Sequence, residues 1–157
     1  SIKPPGILEG GNLVVTDKGV IFASETPRAN KEGIEQLSRI LPDLEIRIVP
    51  ISGDNPLLFH LQATCQYIGN DTIVLCPEYV NPKYFRGFNI IKIPQEELYA
   101  NNMIYLGRNK ILIPYGYPKT KRILEKEGYD TIEIDISEFW KGDGGLTCLF
   151  LPFFKCI

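Results

Sequence analysis

Short apolar runs recur along the chain in a fixed order. NLVVT (12–16) and GVIFAS (19–24) are two such runs, separated by the turn residues DK. Runs of this length, bounded by turn residues, predict strands. NKEGIEQLSRIL (30–41) then places Ile34, Leu37, Ile40 and Leu41 at helical spacing, with Asn30 as a candidate N-cap. LEIRIVPI (44–51) returns to the pattern of a strand. The unit is strand, strand, helix, strand.

The order repeats. ATCQYIG, the turn ND and TIVLCP open a second copy near Ala63, which passes through the short segment PKYFRGF to NIIKIP. A third copy opens near Asn102 with NMIYLG, the turn RN and KILIPYG. It continues through a helix PKTKRILEKEG, with Pro118 in its first turn and Gly128 at its end, to the strand DTIEIDI. A short SEFWKG and a glycine run lead to LTCLFL (146–151), which reads as one more strand. The fold class expected is therefore α+β, an α/β propeller of ββαβ units, with about three units and a strand present. Such units cannot bury their apolar faces alone and must pack around a common centre.

Composition narrows the function classes. The 157 residues carry 44% hydrophobic and 23% charged side chains and a net charge of −2, with no basic block. This excludes a nucleic-acid footprint. The longest apolar runs are near ten residues, short of the roughly 20 of a membrane-spanning helix. No membrane or nucleic-acid partner is expected. Four cysteines and one histidine, with no CxxC pair, give poor support for a zinc site, so no metal is expected. SIKPPGILEGG has no apolar core segment of a secretory leader, which makes a cytoplasmic location with reduced thiols the expectation.

Three stretches fall at the heads of units: LEGGN (8–12), FHLQATC (59–65) and GDGGLTC (142–148). In a ring of repeats equivalent points converge near the axis, which brings together Glu9, His60 and Cys148. A cysteine needs a base or a positive field to become thiolate near neutral pH. His60 is the only ordinary proton carrier for that pH, and Glu9 is placed to orient it. Each residue also has a plain reading: a packed cysteine, a structural histidine, a turn at EGG. Their joint placement favours catalysis.

Five motifs carry a family resemblance. LEGGN looks like a Glu-Gly-Gly-Asp stretch, ETPRAN like a KRTN segment, and HLQATCQYIGNDTIVL like an HLK strand pair. YANNMIYL is similar to AANCIYL, and DGGLTC to DGLLTC. In this order, from residue 8 to residue 151, they resemble the guanidine-modifying enzymes of the pentein fold. That group comprises dimethylarginine dimethylaminohydrolase, arginine deiminase and the amidinotransferases, and the motifs are nearest to the first. The resemblance implies a nucleophile at Cys148, a catalytic histidine at His60 and its partner at Glu9. It also implies a substrate-carboxylate ligand at Arg28 and a substrate-contacting aspartate at Asp143.

The implied function is hydrolysis of a guanidine, arginine or methylated arginine, through a covalent thiouronium on cysteine. No metal or organic cofactor is implied. The alternatives are an amidinotransferase and a catalytically silent pentein-like binding module. Asn12 stands where the motif has aspartate. Gln62 stands where the dimethylarginine enzyme has lysine and arginine deiminase has aspartate. The family has five units. Residues 1–157 are thus expected to form the C-terminal portion of one catalytic domain, with the N-terminal part on a companion chain or a further segment.

Overall fold

Each predicted unit becomes a three-stranded sheet whose second strand lies in the middle. The computed structural model describes residues 1–55 and 58–150. The first sheet contains β1 (Leu13–Val15), β2 (Val20–Ala23) and β3 (Glu45–Ile48). The second contains β4 (Cys65–Tyr67), β5 (Thr72–Leu75) and β6 (Asn89–Lys92). The third contains β7 (Ile104–Gly107), β8 (Lys110–Pro114) and β9 (Asp130–Ile134). In every sheet the first pair is antiparallel and the second parallel, as a ββαβ order requires. The turns ND and RN hold both central residues at positive φ: Asn70 at 49° and Asp71 at 55°, Arg108 at 51° and Asn109 at 60°. That is the tight hairpin geometry whose twist matches flanking strands.

Connections differ between units. α1 (Lys31–Ile40) starts at Asn30, whose Oδ1 accepts from the Gly33 amide at 2.9 Å. Of its predicted apolar residues, Ile34 is buried while Ile40 is exposed. The second unit has no α-helix; Pro82–Tyr84 forms a single 3-10 turn. α2 (Pro118–Lys126) follows β8, and Gly128 closes it at φ 89°. A one-turn α3 (Ser137–Trp140) follows β9. LTCLFL does not continue as a strand. Leu146–Leu149 form a 3-10 turn, Phe150 is extended, and Leu151 lies outside the described residues. Among the described residues no helix is long and apolar enough to cross a membrane.

The core lies between sheets. One buried cluster joins Val14, Phe22 and Val49 of the first unit to Leu61, Cys65, Ile73, Leu75 and Phe85 of the second. Another joins Ile68, Val74 and Ile91 to Ile111, Ile113 and Leu124 of the third. A smaller cluster of Tyr99, Ile104, Ile136 and Leu146 lies under the last turn.

Glu97 holds α2 to the rest. It is 7% exposed. Its Oε1 accepts from the Lys119 amide at 3.1 Å, and its Oε2 from the Thr120 amide at 2.6 Å. These are orphan amides of the first helical turn, and a carboxylate also suits the positive end of the helix. Glu97→Ala is expected to lower stability by about 2 kcal/mol, because one buried and one part-buried donor lose a charged acceptor. Urea unfolding checks this, and a midpoint equal to the parent's would refute the cap.

Candidate active site

The first strand of each unit is preceded by a 3-10 turn: Gly10–Asn12, Leu61–Ala63 and Gln95–Asn101. Glu9 and His60 take equivalent places just before the first two turns, both with extended backbone. Neither side chain caps its own turn, so carboxylate and imidazole face each other instead. His60 Nε2 lies 2.7 Å from Glu9 Oε2. A carboxylate only accepts, so Nε2 carries a proton there, leaving Nδ1 for other business. The other oxygen, Oε1, accepts from Arg28 Nη1 at 3.1 Å. Arg28 is placed by the Thr26–Ala29 turn and lies over the Phe59 ring at 5.9 Å.

The hydrogen bond from His60, more than any other influence, holds the Glu9 carboxyl below the ordinary glutamate value; Arg28 adds to this, while partial desolvation opposes it. The side chains of Glu9, Arg28 and His60 are 42%, 56% and 24% exposed, so the trio is open to solvent and to ligands. Gly11 is needed beside them. A Cβ there would come within 2.7 Å of the imidazole Cγ.

Cys148 lies in the Leu146–Leu149 turn, with its thiol exposed. Leu146 anchors that turn in the core. Thr147 Oγ1 donates to Asn102 Oδ1 at 3.1 Å, and the Tyr99 hydroxyl donates to the Gly144 carbonyl at 2.8 Å. Burial pushes the Tyr99 hydroxyl up to about 12, so it stays a donor at neutral pH. A Cβ at Gly145 would lie 2.0 Å from Asn102 Oδ1. That glycine therefore makes room for the Asn102 amide, and Gly144 for the Phe139 carbonyl; a Cβ at Gly144 would lie 3.1 Å from it. Asp143 is exposed and left-handed, at φ 59°.

The structure joins both Arg28 and His60 to Glu9 and puts Asp143 and Cys148 on one anchored loop. Among the described residues no hydrogen bond joins Cys148 to His60. The two groups connect through neighbouring turns, since Asn101 Nδ2 donates to the Ala63 carbonyl at 3.4 Å while Asn102 holds Thr147. Gln62, noted above as a departure from the motif, turns its Nε2 to the backbone carbonyls of Leu13 (2.9 Å) and Gly10 (3.4 Å). Sequence reasoning missed Asn102 and Tyr99 as supports; the only signal was the quoted YANN stretch. Among the described residues no group of three or more metal-ligating side chains gathers.

Mixed sheets in repeated ββαβ order, with a Glu–His pair at the head of two units, define an α+β propeller of the pentein type. Solved structures agree. The chain superposes on a cysteine-to-serine variant of the Pseudomonas aeruginosa dimethylarginine dimethylaminohydrolase, complexed with citrulline, with a TM-score of 0.82 and 33% identity over 94% of this chain and 56% of the other. An amidinotransferase from Microseira wollei shares the fold, with a TM-score of 0.75 and 20% identity over 88% of this chain and 45% of the other. The model of the family "N,N dimethylarginine dimethylhydrolase, eukaryotic" matches residues 4–155, and the chain belongs to the dimethylarginine dimethylaminohydrolase family. Its relatives include the P. aeruginosa enzyme, 34% identical over 97% of this chain, and an uncharacterized protein of Aeropyrum pernix, 37% identical over 99%. The chain spans 58% and 57% of their respective lengths.

The cysteines differ enough to be tested. Burial pushes the Cys65 thiol up to about 12; burial, aided by Glu78, does the same to Cys76. Cys148 is exposed, and Cys156 lies outside the described residues. Brief iodoacetamide labelling at neutral pH, read by peptide mass, is expected to modify Cys148 well before Cys65 or Cys76. Equal labelling of the three would contradict this.

The Glu9 carboxyl gives a pH signature. Its folded value lies below its ordinary 4.5, so the ionised form contributes stability that is complete above 4.5 and fades as pH falls through the folded value. The urea-midpoint difference between parent and Glu9→Gln is expected to shrink from about pH 6 to about pH 3. A difference that grows on acidification would reverse the assignment.

Proposed function

We propose that these residues form the nucleophilic half of a guanidine hydrolase that converts N(G),N(G)-dimethylarginine to citrulline and dimethylamine. The observation that carries the reading is the Glu9 carboxylate holding His60 Nε2 at 2.7 Å, which fixes the tautomer and leaves Nδ1 to exchange protons. Two similar structures support the substrate class: the P. aeruginosa relative, solved with citrulline, and a histidine-to-glycine variant of a dimethylarginine dimethylaminohydrolase, solved as an adduct with S-methyl-L-thiocitrulline.

The Cys148 thiolate attacks the central guanidinium carbon, forming a C–S bond. Protonated His60 gives its proton to the dimethyl-bearing nitrogen, the C–N bond breaks, and neutral dimethylamine leaves an S-linked thiouronium cation. Water then gives a proton to His60 as its oxygen bonds to the same carbon. The C–S bond breaks, returning the thiolate and leaving a protonated ureido group. That last proton passes to dimethylamine, which departs as its ammonium ion. One water enters and one amine leaves. Asp143 takes the planar cation by paired hydrogen bonds, and Arg28 takes the distal carboxylate of the substrate.

Formation of the thiouronium is the step that Cys148 and His60 carry in this proposal. Intact-mass spectrometry after incubation with S-methyl-L-thiocitrulline is expected to show one covalent adduct, mapped to Cys148 and lost in Cys148→Ser. Citrulline release from dimethylarginine is expected to fall by at least about 10³-fold in the same variant. A protein that takes no adduct on Cys148 and releases no citrulline would overturn the proposal.

A further inference from the structure

The first two unit heads hold each other through their backbones. Asn12, in the turn after Glu9, is fully buried. Its Nδ2 donates to the Phe59 carbonyl at 3.4 Å, and its Oδ1 accepts from the Leu61 amide at 3.3 Å. Those are the peptide groups on either side of His60. A third bond, from the Thr26 hydroxyl to Oδ1 at 3.2 Å, ties the same amide to the segment that carries Arg28. Gln62, in the turn after His60, reaches the opposite way. Its Nε2 donates to the carbonyls of Leu13 and Gly10, which bracket Asn12 and its turn. The partners fix both amide orientations: a carbonyl needs the NH₂ end and an amide N–H needs the oxygen end.

We propose that Asn12 and Gln62 form a reciprocal amide clamp, and that they are positioning residues which set His60 against Glu9. The chemistry of the pair supports this. Only a group with both a donor and an acceptor can read the carbonyl before His60 and the N–H after it. A carboxylate at position 12 would set a second acceptor against the Phe59 carbonyl. An apolar side chain would leave the buried Leu61 amide and the part-buried Phe59 carbonyl without this partner. The clamp acts on the backbone of Phe59–Leu61. Gly11 meanwhile lets the first turn lie directly against the imidazole, which its Cβ would otherwise strike. The Glu9–His60 hydrogen bond joins two side chains that are each partly exposed. Without a fixed backbone beneath them, they would sample other rotamers. The clamp rests on the proposed function only for the meaning of His60; its geometry stands apart from turnover.

The test reads the Glu9–His60 contact itself. The titration midpoint of the Glu9 side-chain carboxyl is followed by carbon NMR in the chain, without substrate. His60→Ala sets the full displacement toward the ordinary value, because the imidazole is the main influence holding Glu9 down. Gln62→Met removes the donor without adding charge, and Asn12→Leu removes the other half of the clamp. Each is expected to displace the midpoint upward by at least half of the His60→Ala effect. Glu97→Gln, which weakens a cap elsewhere, is expected to leave it in place, which separates positioning from general destabilisation. Should Asn12→Leu fail to fold, Gln62→Met decides alone. A parent-like midpoint in a folded Gln62→Met chain would overturn the clamp whatever the turnover. A chain without Cys148 adduct or citrulline would overturn the function and leave the clamp standing.

Discussion

The two larger cores of this protein are each shared between neighbouring ββαβ units. Phe22 of the first unit meets Phe85 of the second at 4.7 Å between ring centroids, and Val74 of the second belongs to the same cluster as Ile111 of the third. Every other placement depends on this sharing. A three-stranded sheet of three- to five-residue strands buries too little to persist in water unless another layer covers it. Covering one sheet with the next fixes the angle between units and thereby brings their heads together. The site residues sit at those heads. Their convergence follows from the core and needs no attraction among themselves.

Magnitudes support that order of causes. The Glu9–Arg28 and Glu9–His60 pairs are open to solvent, and exposed ion pairs contribute about 0–1 kcal/mol. A single buried aromatic of the core contributes several times that. The carboxylate therefore does little to hold the fold. Its effect is chemical: one oxygen for the imidazole, one for the guanidinium, and a settled tautomer at His60. The hydrogen bond from His60 and the Arg28 guanidinium also explain why the Glu9 carboxyl is held below its ordinary value despite some desolvation.

Much of this was legible in the sequence because the signals were local. The turns ND and RN, the Asn30 cap, and Pro118 and Gly128 at the ends of α2 each act within a few residues. The ββαβ order emerged from them, and the head positions of Glu9 and His60 followed from the order. The 3-10 turns were not legible, since three to seven residues give no periodicity to detect. LTCLFL looked like a strand because apolar runs of six residues look alike whatever they become. What decides that turn is remote: Asn102, 45 residues before Thr147, occupies the space where a side chain at 145 would be. The glycines before Cys148 thus answer to packing of the loop. Asn12 and Gln62 read as two unrelated departures from a motif, because their partners lie 47 to 52 residues away.

The adjacent asparagines at 101 and 102 show how a site can be assembled without contact between its reactive groups. They close the Gln95–Asn101 turn at the head of the third unit, where the backbone leaves its helical path at Asn102, φ −71° and ψ 53°. That change of direction lets neighbouring side chains diverge. Asn101 goes back to the Ala63 carbonyl at the end of the His60 turn, and Asn102 goes on to Thr147, next to Cys148. Each asparagine binds groups on another turn, so the turn that carries Cys148 and the turn after His60 are linked through two amides and a short stretch of backbone. In the function proposed above, a direct thiol–imidazole bond would occupy the place that a planar guanidinium enters, and holding the two turns from behind limits their separation without such a bond.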